Sequence, residues 1–214
     1  VSVDWEGLNA RLARSAALVG EPGGLDPDAA PDDPMELFAH WFSDALDAVP
    51  EARAATLSTT GAGGPTARVL ILRSVGPEGF AFATDARSAK VADLASDPRA
   101  ALSFWWQPLV RQVRVTGTAR WLGAEESARD FAARGAASRA AARASRPGEP
   151  LGSVDELHAA FEAAALDDGP LDDWQAWLLE PSTIEFWQGS ADRAHVRLRY
   201  RRDGEWWEHG LRWP

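Results

Sequence analysis

The chain has no cysteine and a single lysine, Lys90, among its 22 basic residues. The first absence excludes disulfides, thiol catalysis and thiolate metal sites. The second reflects a bias that replaces lysine by arginine, and it singles out the one lysine retained. Positive charge is itself scarce: 22 basic against 32 acidic residues leave a formal net charge of −10. A nucleic-acid partner, which requires a basic stripe to neutralise phosphates, is therefore not expected. No apolar run approaches the roughly 20 residues of a membrane span, and no membrane association is predicted. The opening V-S-V-D-W-E-G-L-N-A-R-L-A-R lacks the basic-then-apolar layout of a signal peptide, so a cytoplasmic location is the expectation. Also missing are a Gly-rich dinucleotide fingerprint, a P-loop, a nucleophile elbow and a zinc-protease helix motif. The histidines His40, His158, His195 and His209 sit in no carboxylate cluster, and no metal site is expected. His40 and His158 read as parts of amphipathic helices.

What the chain does have is 214 residues, 45% hydrophobic and 25% charged, with 11 tryptophans. That is large enough for a real core, and tryptophan in such number suits subunit interfaces or aromatic ligand pockets. Residues 1–33, rich in Asp, Pro, Gly and Ala, read as an acidic, partly mobile arm with a short helix from Trp5 to Leu18. Residues 34–214 read as one domain. Asp33-Pro34 caps a helix whose apolar face is Leu37, Phe38, Trp41, Phe42 and Leu46. Strands are then predicted at Ala54–Thr60, Thr66–Val75, Phe80–Thr84, Ala100–Gln107 and Arg111–Leu122, with a short helix carrying Lys90 in its first turn. A helical insertion fills about 124–166, with a capping box at Ser153-Val154-Asp155-Glu156. Strands return at Gln175–Leu179, Thr183–Gln188, Val196–Arg202 and Glu205–Leu211, the last two joined by a hairpin turn at Asp203-Gly204. Strands at this spacing, joined by tight turns, indicate an antiparallel barrel with flanking helices, an α+β fold.

One stretch is chemically pointed: I-E-F-W-Q-G-S-A-D-R-A-H-V-R-L-R-Y, residues Ile184–Tyr200. A strand over Ile184–Gln188 breaks at Gly189-Ser190-Ala191. If a new strand resumes at once, Arg193, His195 and Arg197 share a face by their spacing of two. Such a face makes a poor core and a good site for an anion or a heterocycle. Elsewhere, Arg68 opens an apolar strand that Arg73 closes, and Thr84 ends the next strand. Arg87, Ser88 and Lys90 surround a helix start, where free N–H groups favour a phosphate. Gln112 can both donate to and accept from a polar ring edge. Together these residues suggest a phosphorylated aromatic ligand.

From about Asp33 to Pro214 the chain resembles the FMN-dependent pyridoxamine 5′-phosphate oxidases and their relatives. The likeness is carried by D-P-M-E-L-F-A-H-W-F, A-R-V-L-I-L-R, F-A-T-D-A-R-S-A-K, R-Q-V-R-V-T-G-T-A and the stretch quoted above, in the family's order and spacing. The resemblance implies an FMN-binding split β-barrel of Greek-key-like antiparallel strands. It also implies a homodimer with two FMN sites at the subunit interface. By motif, Arg68 and Lys90 would pair with the FMN phosphate, and Arg87 could assist. The strand Val69, Leu70, Ile71 and Leu72 would pass the flavin by its backbone, with Ala83, Thr84 and Ser88 beside it and Gln112 bonded to the ring. Trp187 and Arg197 would come from the partner subunit. Arg193 and His195 would act on the substrate, whose phosphate would meet Arg73, Arg134 and Ser138.

Departures from the family pattern concern the substrate. Arg73 stands where a lysine is usual, Asp130 where a tyrosine is, Ala89 where a basic residue precedes Lys90, and Val196 inside an R-x-H-D-R motif. Pro147-Gly148 replaces a Gln-Ser pair, and Trp174-Gln175-Ala176-Trp177 a W-G-G-F-type segment. The resemblance thus implies oxidation of pyridoxamine or pyridoxine 5′-phosphate by O2, with release of H2O2. The alternatives are oxidation of another cyclic metabolite, of the phenazine-biosynthesis kind, and flavin binding without turnover.

Overall fold

A computed structural model describes residues 3–214; the first two residues of the predicted arm lie outside this range. A helix α1 (Trp5–Arg14) precedes α2 (Pro34–Ala48), and strands β1 (Ala54–Gly61), β2 (Gly64–Ile71), β3 (Ser74–Gly76) and β4 (Gly79–Asp85) follow. After α3 (Ala89–Ser96) come β5 (Arg99–Trp106) and β6 (Arg111–Trp121), then α4 (Ala124–Ala132), α5 (Ala136–Ala144) and α6 (Val154–Ala164). The chain closes with β7 (Trp174–Gln188), β8 (Val196–Asp203) and β9 (Trp206–Leu211).

All strand pairs are antiparallel, in the order β2-β1-β5-β6-β7-β4-β3, with β8 and β9 added beside β7. Strands β2 and β3 lie at opposite ends of that order, yet only Leu72 and Arg73 separate them in sequence. Two residues cannot span a flat sheet seven strands wide. The sheet must curl until its ends meet, which closes the barrel and puts Arg73 at the seam. The Arg73 N–H bonds to Ala81 O at 2.8 Å, and the Leu72 N–H to Arg53 O at 2.9 Å, which hold that seam.

The split arises in β7. Its first half pairs with β4 (Trp174 to Leu179) and its second with β8 (Thr183 to Gln188), while β6 follows both halves. The exchange occurs at Pro181, which has no N–H to give a ladder. Opposite it the register slips between Thr116 and Gly117. A Cβ on Gly117 would lie 2.0 Å from Glu180 O, so the close approach of the two strands requires glycine there.

Inside the barrel, alternate residues of the strands meet: Leu57, Leu102, Phe104, Val113, Val115, Phe80, Phe82, Leu179, Ile184 and Phe186 are fully buried. Helix α2 plugs this core. Phe38 touches the rings of Phe80 (4.8 Å), Phe104 (5.4 Å), Trp106 (6.0 Å) and Phe42 (5.3 Å). The Asp33 carboxylate caps the helix by accepting the Met35 N–H at 2.8 Å. The segment before α2 runs along the body: Glu21 N–H bonds to Pro108 O (2.8 Å), and Pro31 O accepts the buried Tyr200 hydroxyl (2.8 Å).

Several expected boundaries shift. Helix α1 stops at Arg14 rather than Leu18, because the Ser15 N–H and hydroxyl both turn back to Leu12 O. Leu46 is 54% exposed and leaves the apolar face of α2, where Ala45 is buried instead. The strand expected over Thr66–Val75 is two strands, broken at the seam. Gln175–Leu179 and Thr183–Gln188 are one strand, because β6 pairs with both sides of Pro181. Asp203 pairs with Trp206, so the hairpin loop is Gly204-Glu205, with Gly204 at φ +61°. His40 and His158 are exposed on α2 and α6.

Candidate active site

A cleft of about 550 Å³ opens at the barrel seam. Strand β2 supplies one wall with Arg68, Val69, Leu70 and Ile71, and Arg73 follows at the seam. Because β2 pairs only with β1, its other backbone edge is free of sheet partners. The facing wall is the end of β4, Ala83 and Thr84, with Lys90 from α3. The turn between α4 and α5 adds Arg134 and Ser138, and Trp174 opens β7 at its base. A smaller hollow of about 430 Å³ shares Thr84, Lys90 and Arg134 and extends past Ser88.

Ten of the residues singled out in the sequence thus line one cleft, arranged around two cation pairs. In the first, Arg68 is braced by hydroxyls, Nη1 donating to Thr59 Oγ1 (2.6 Å) and Nη2 to Thr66 Oγ1 (2.7 Å). Asp93 of α3 accepts from Thr59 (2.7 Å) and Thr66 (3.1 Å) and stands 3.7 Å from Arg68. Those hydroxyls, the Thr59 bond foremost, hold the Asp93 carboxyl below the usual carboxylate range. Lys90 Nζ donates to Thr84 Oγ1 at 2.9 Å. Burial, followed by the charge of Arg68, pushes the Lys90 pKa down from its ordinary 10.5. The second pair is Arg73 and Arg134. The Arg134 guanidinium stacks on Trp174 at 4.4 Å, and its Nε is buried with no partner. Burial and then Arg73 lower its pKa, with Asp130 opposing. Like charges held together in a half-buried cleft are poised for an anion. The cleft has two such seats.

Leu72 and Arg87 lie elsewhere, and Ser88 lines only the smaller hollow. Leu72 is 1% exposed and faces the core. Arg87 turns to Asp85 (Nε 3.0 Å, Nη2 2.6 Å) and Ser145 O (2.9 Å), and lines neither hollow. Ser88 is buried, its hydroxyl donated to Asp85 O at 2.8 Å.

Gln112, Trp187, Arg193, His195 and Arg197 form a separate group that shares no cavity with the cleft of their own chain. Gln112 faces both Trp105 and Trp187 across the sheet, and the two indoles are 6.1 Å apart. Trp187 packs against His195 at 4.9 Å. The Ser190 N–H donates to His195 Nδ1 at 3.0 Å, which leaves Nε2 as the nitrogen to carry the proton of a neutral ring. Arg197 Nη2 reaches both oxygens of buried Glu185 (3.0 and 2.9 Å), and Nη1 donates to Trp213 O (2.7 Å). The expected common face does not form. Strand β8 begins at Val196, and Arg193 sits in the preceding turn at φ +69°, where its N–H bonds to Ser190 O (3.2 Å). The Ser190-Asp192 turn takes up residues that a direct return to strand would have needed.

The structure adds contacts that sequence reasoning did not assign. Arg53 and Trp174 line the cleft, Asp130 holds Arg73, Glu185 holds Arg197, and Trp105 stands beside Trp187. Asp130 and Trp174 carried a signal as departures from the family pattern, and Glu185 as an acid in the strand of the pointed stretch; Arg53 and Trp105 carried none.

Residues 42–168 match the family described as pyridoxamine 5′-phosphate oxidase, and residues 174–214 match the pyridoxine 5′-phosphate oxidase C-terminal dimerisation region. A pyridoxine/pyridoxamine 5′-phosphate oxidase from Thermosynechococcus vestitus is 43% identical over 89% of this chain and 92% of its own length. One from a Nocardioides species is 42% identical over 86% and 89%. Among solved structures, PhzG from Burkholderia lata, crystallised with tetrahydrophenazine-1-carboxylic acid, superposes with a TM-score of 0.85 at 29% identity, covering 91% of this chain and 100% of that one. A pyridoxamine 5′-phosphate oxidase-related, FMN-binding protein from Nostoc punctiforme shares the fold, with a TM-score of 0.71 at 21% identity over 89% of this chain and 99% of that one. The barrel is the split barrel of these proteins, and the chain belongs to the pyridoxamine 5′-phosphate oxidase family of oxidoreductases.

Proposed function

We propose that this protein is an FMN-dependent oxidase acting, as a homodimer, on pyridoxamine or pyridoxine 5′-phosphate, with O2 as the oxidant and H2O2 as the co-product. The observation that carries the reading is the cleft with two cation pairs and a free strand edge between its walls. A ligand set with two anionic ends and a flat, hydrogen-bonding middle matches it. Arg68, Lys90 and Thr84 fit the FMN phosphate, and the unpaired edge of β2 at Val69–Ile71 fits a ring that bonds to main chain. Bound FMN would supply acceptance of a hydride and return of the electrons to O2. The chain's own part is positioning and proton handling.

In this reading the second cation pair, with Ser138, holds the substrate's anionic arm. Gln112, Trp187 and Arg197 complete the flavin pocket of the other subunit. Arg193 covers the substrate, and His195 receives or orients the proton of the reacting amine or alcohol. The match of residues 174–214 to a dimerisation region supports the shared site. Val69, 67% exposed, and the half-exposed Trp105 give apolar surface on both groups of residues. A second reading, oxidation of a carboxylated polycyclic substrate, is favoured by Asp130 beside Arg73 and by the likeness to PhzG.

Purification tests the proposal. The expected result is a yellow protein, or one that takes up added FMN, and that releases H2O2 with pyridoxamine 5′-phosphate. Colourless protein that binds no FMN overturns both readings. Yellow protein inert to pyridoxamine 5′-phosphate leaves the second.

A further inference from the structure

A carboxylate stands behind the inner anion seat, in contact with two of its lining residues though not itself part of the lining. Arg73 Nε donates to Asp130 Oδ1 at 2.7 Å, and Trp174 Nε1 donates to Asp130 Oδ2 at 2.9 Å. Donors from the barrel seam and from β7 thus fix this α4 side chain, which is 13% exposed. Asp130 is therefore not free to swing away when a ligand enters. Arg134 stacks on the same Trp174, and the charges that act on it are those of Arg73 and Asp130. The three groups Arg73, Arg134 and Asp130 together carry a single net positive charge. In the outer seat the carboxylate is less direct: Asp93 is taken up by Thr59 and Thr66 and makes no hydrogen bond to Arg68.

We propose that Asp130 is the specificity-determining residue of the cleft, and that the Arg73–Asp130–Trp174 network makes the inner seat one for a singly charged oxygen anion, a ring carboxylate, in preference to a phosphate dianion. The inference rests on the FMN-oxidase reading of the cleft and, within it, favours the second reading, a carboxylated ring substrate, over the phosphorylated one. A phosphate monoester carries close to two negative charges at neutral pH. Its second charge meets a held carboxylate where a monoanion meets a balanced field. Charge repulsion grows in proportion to ligand charge, so the penalty from Asp130 is twice as large, in logarithm, for the dianion.

The test uses FMN-loaded protein and follows ligand binding through the flavin absorbance. The probes are pyridoxal 5′-phosphate, its singly charged monomethyl ester, and nicotinate as a pyridine carboxylate. The unmodified protein is expected to bind the ester at least as tightly as the dianion. Asp130→Asn should tighten pyridoxal 5′-phosphate about tenfold and nicotinate about threefold. The double variant Arg73→Gln/Asp130→Asn restores the net charge and should return pyridoxal 5′-phosphate to within about threefold of the unmodified protein. The inference is overturned if the dianion binds the unmodified protein more than tenfold tighter than its ester, or if Asp130→Asn leaves its affinity unchanged. Failure to take up FMN sinks the underlying reading instead. The comparison of ester and dianion requires no variant, so it stands even where a substitution prevents folding.

Discussion

Lys90 is the residue on which the outer seat depends. It is the one lysine of the chain, bonded to Thr84 and crowded by Arg68. Its lowered pKa has a definite consequence for binding. The charged form is lost at a lower pH than for an exposed lysine, so FMN affinity should fall as the pH rises, before a solvent-exposed lysine would titrate. Lys90→Arg should remove that pH dependence, because a guanidinium stays charged. Lys90→Met should weaken FMN at least about tenfold at neutral pH, the loss of one charge-assisted bond. Fluorescence titration of FMN against pH reads both. At the other group, Glu185 binds Arg197 through both oxygens. If Arg197 completes the flavin pocket as proposed, Arg197→Ala should cost FMN about tenfold or more; full retained affinity would contradict that proposed role. Arg68, Lys90 and Arg197 could be singled out in the sequence because each stands in a motif that resembles the family's, and the structure places the first two in one cleft. Asp130 and Glu185 were not legible as partners, since an ion pair across 57 positions, as for Arg73 and Asp130, leaves no local mark.

Among elements, α2 and β8 show how the core is tied. Phe38 of α2 is the aromatic hub, and Phe38→Ala should destabilise the fold by about 3–5 kcal/mol in denaturant titration. Tyr200 of β8 is fully buried and donates to Pro31 O, which pins the segment leading into α2. Burial, then the nearby Asp32 and Asp33, push its pKa up to about 12. The unfolded chain loses that proton near pH 10 while the folded chain retains it. Stability is thus whole below pH 10 and declines as the pH rises toward 12. Tyr200 is the chain's one tyrosine, so absorbance at about 295 nm reports it alone. A midpoint near 10 in the native protein would mean that the side chain is not buried. Tyr200→Phe should lack this part of the alkaline decline. Element positions were read well from alternation and caps, because those are local. The break at Leu72-Arg73 was missed, because barrel closure decides it. The break after Gln188 and the return to strand at Val196 were read correctly, and only the shared face of Arg193, His195 and Arg197 failed, because turn bonds hold Arg193 outside the strand.

For the molecule as a whole, the cleft and the Gln112–Trp187–Arg197 group are separate in one chain, and the proposed site needs two. That arrangement predicts complementation. Lys90→Met breaks the cleft and Arg197→Ala breaks the other group, so each homodimer has only damaged sites. Mixing the two chains by unfolding and refolding gives heterodimers with one doubly damaged and one intact site. About a quarter of all sites should then bind FMN with normal affinity, if subunits pair at random. No recovery on mixing would show that both groups serve the same chain's site.

The sequence by itself determined most of the strands, their alternating core, the capped helices and the cationic residues of the cleft other than Arg53, because periodicity, caps and motif spacing act over a few neighbouring positions. Only the tertiary structure decided how the sheet closes, since β2 and β3 become neighbours through curvature accumulated over seven strands. It alone also set the charge of the inner seat. Arg73, Asp130, Arg134 and Trp174 come from the seam, a helix, a turn and a strand, and their balance of charge exists only once those elements meet.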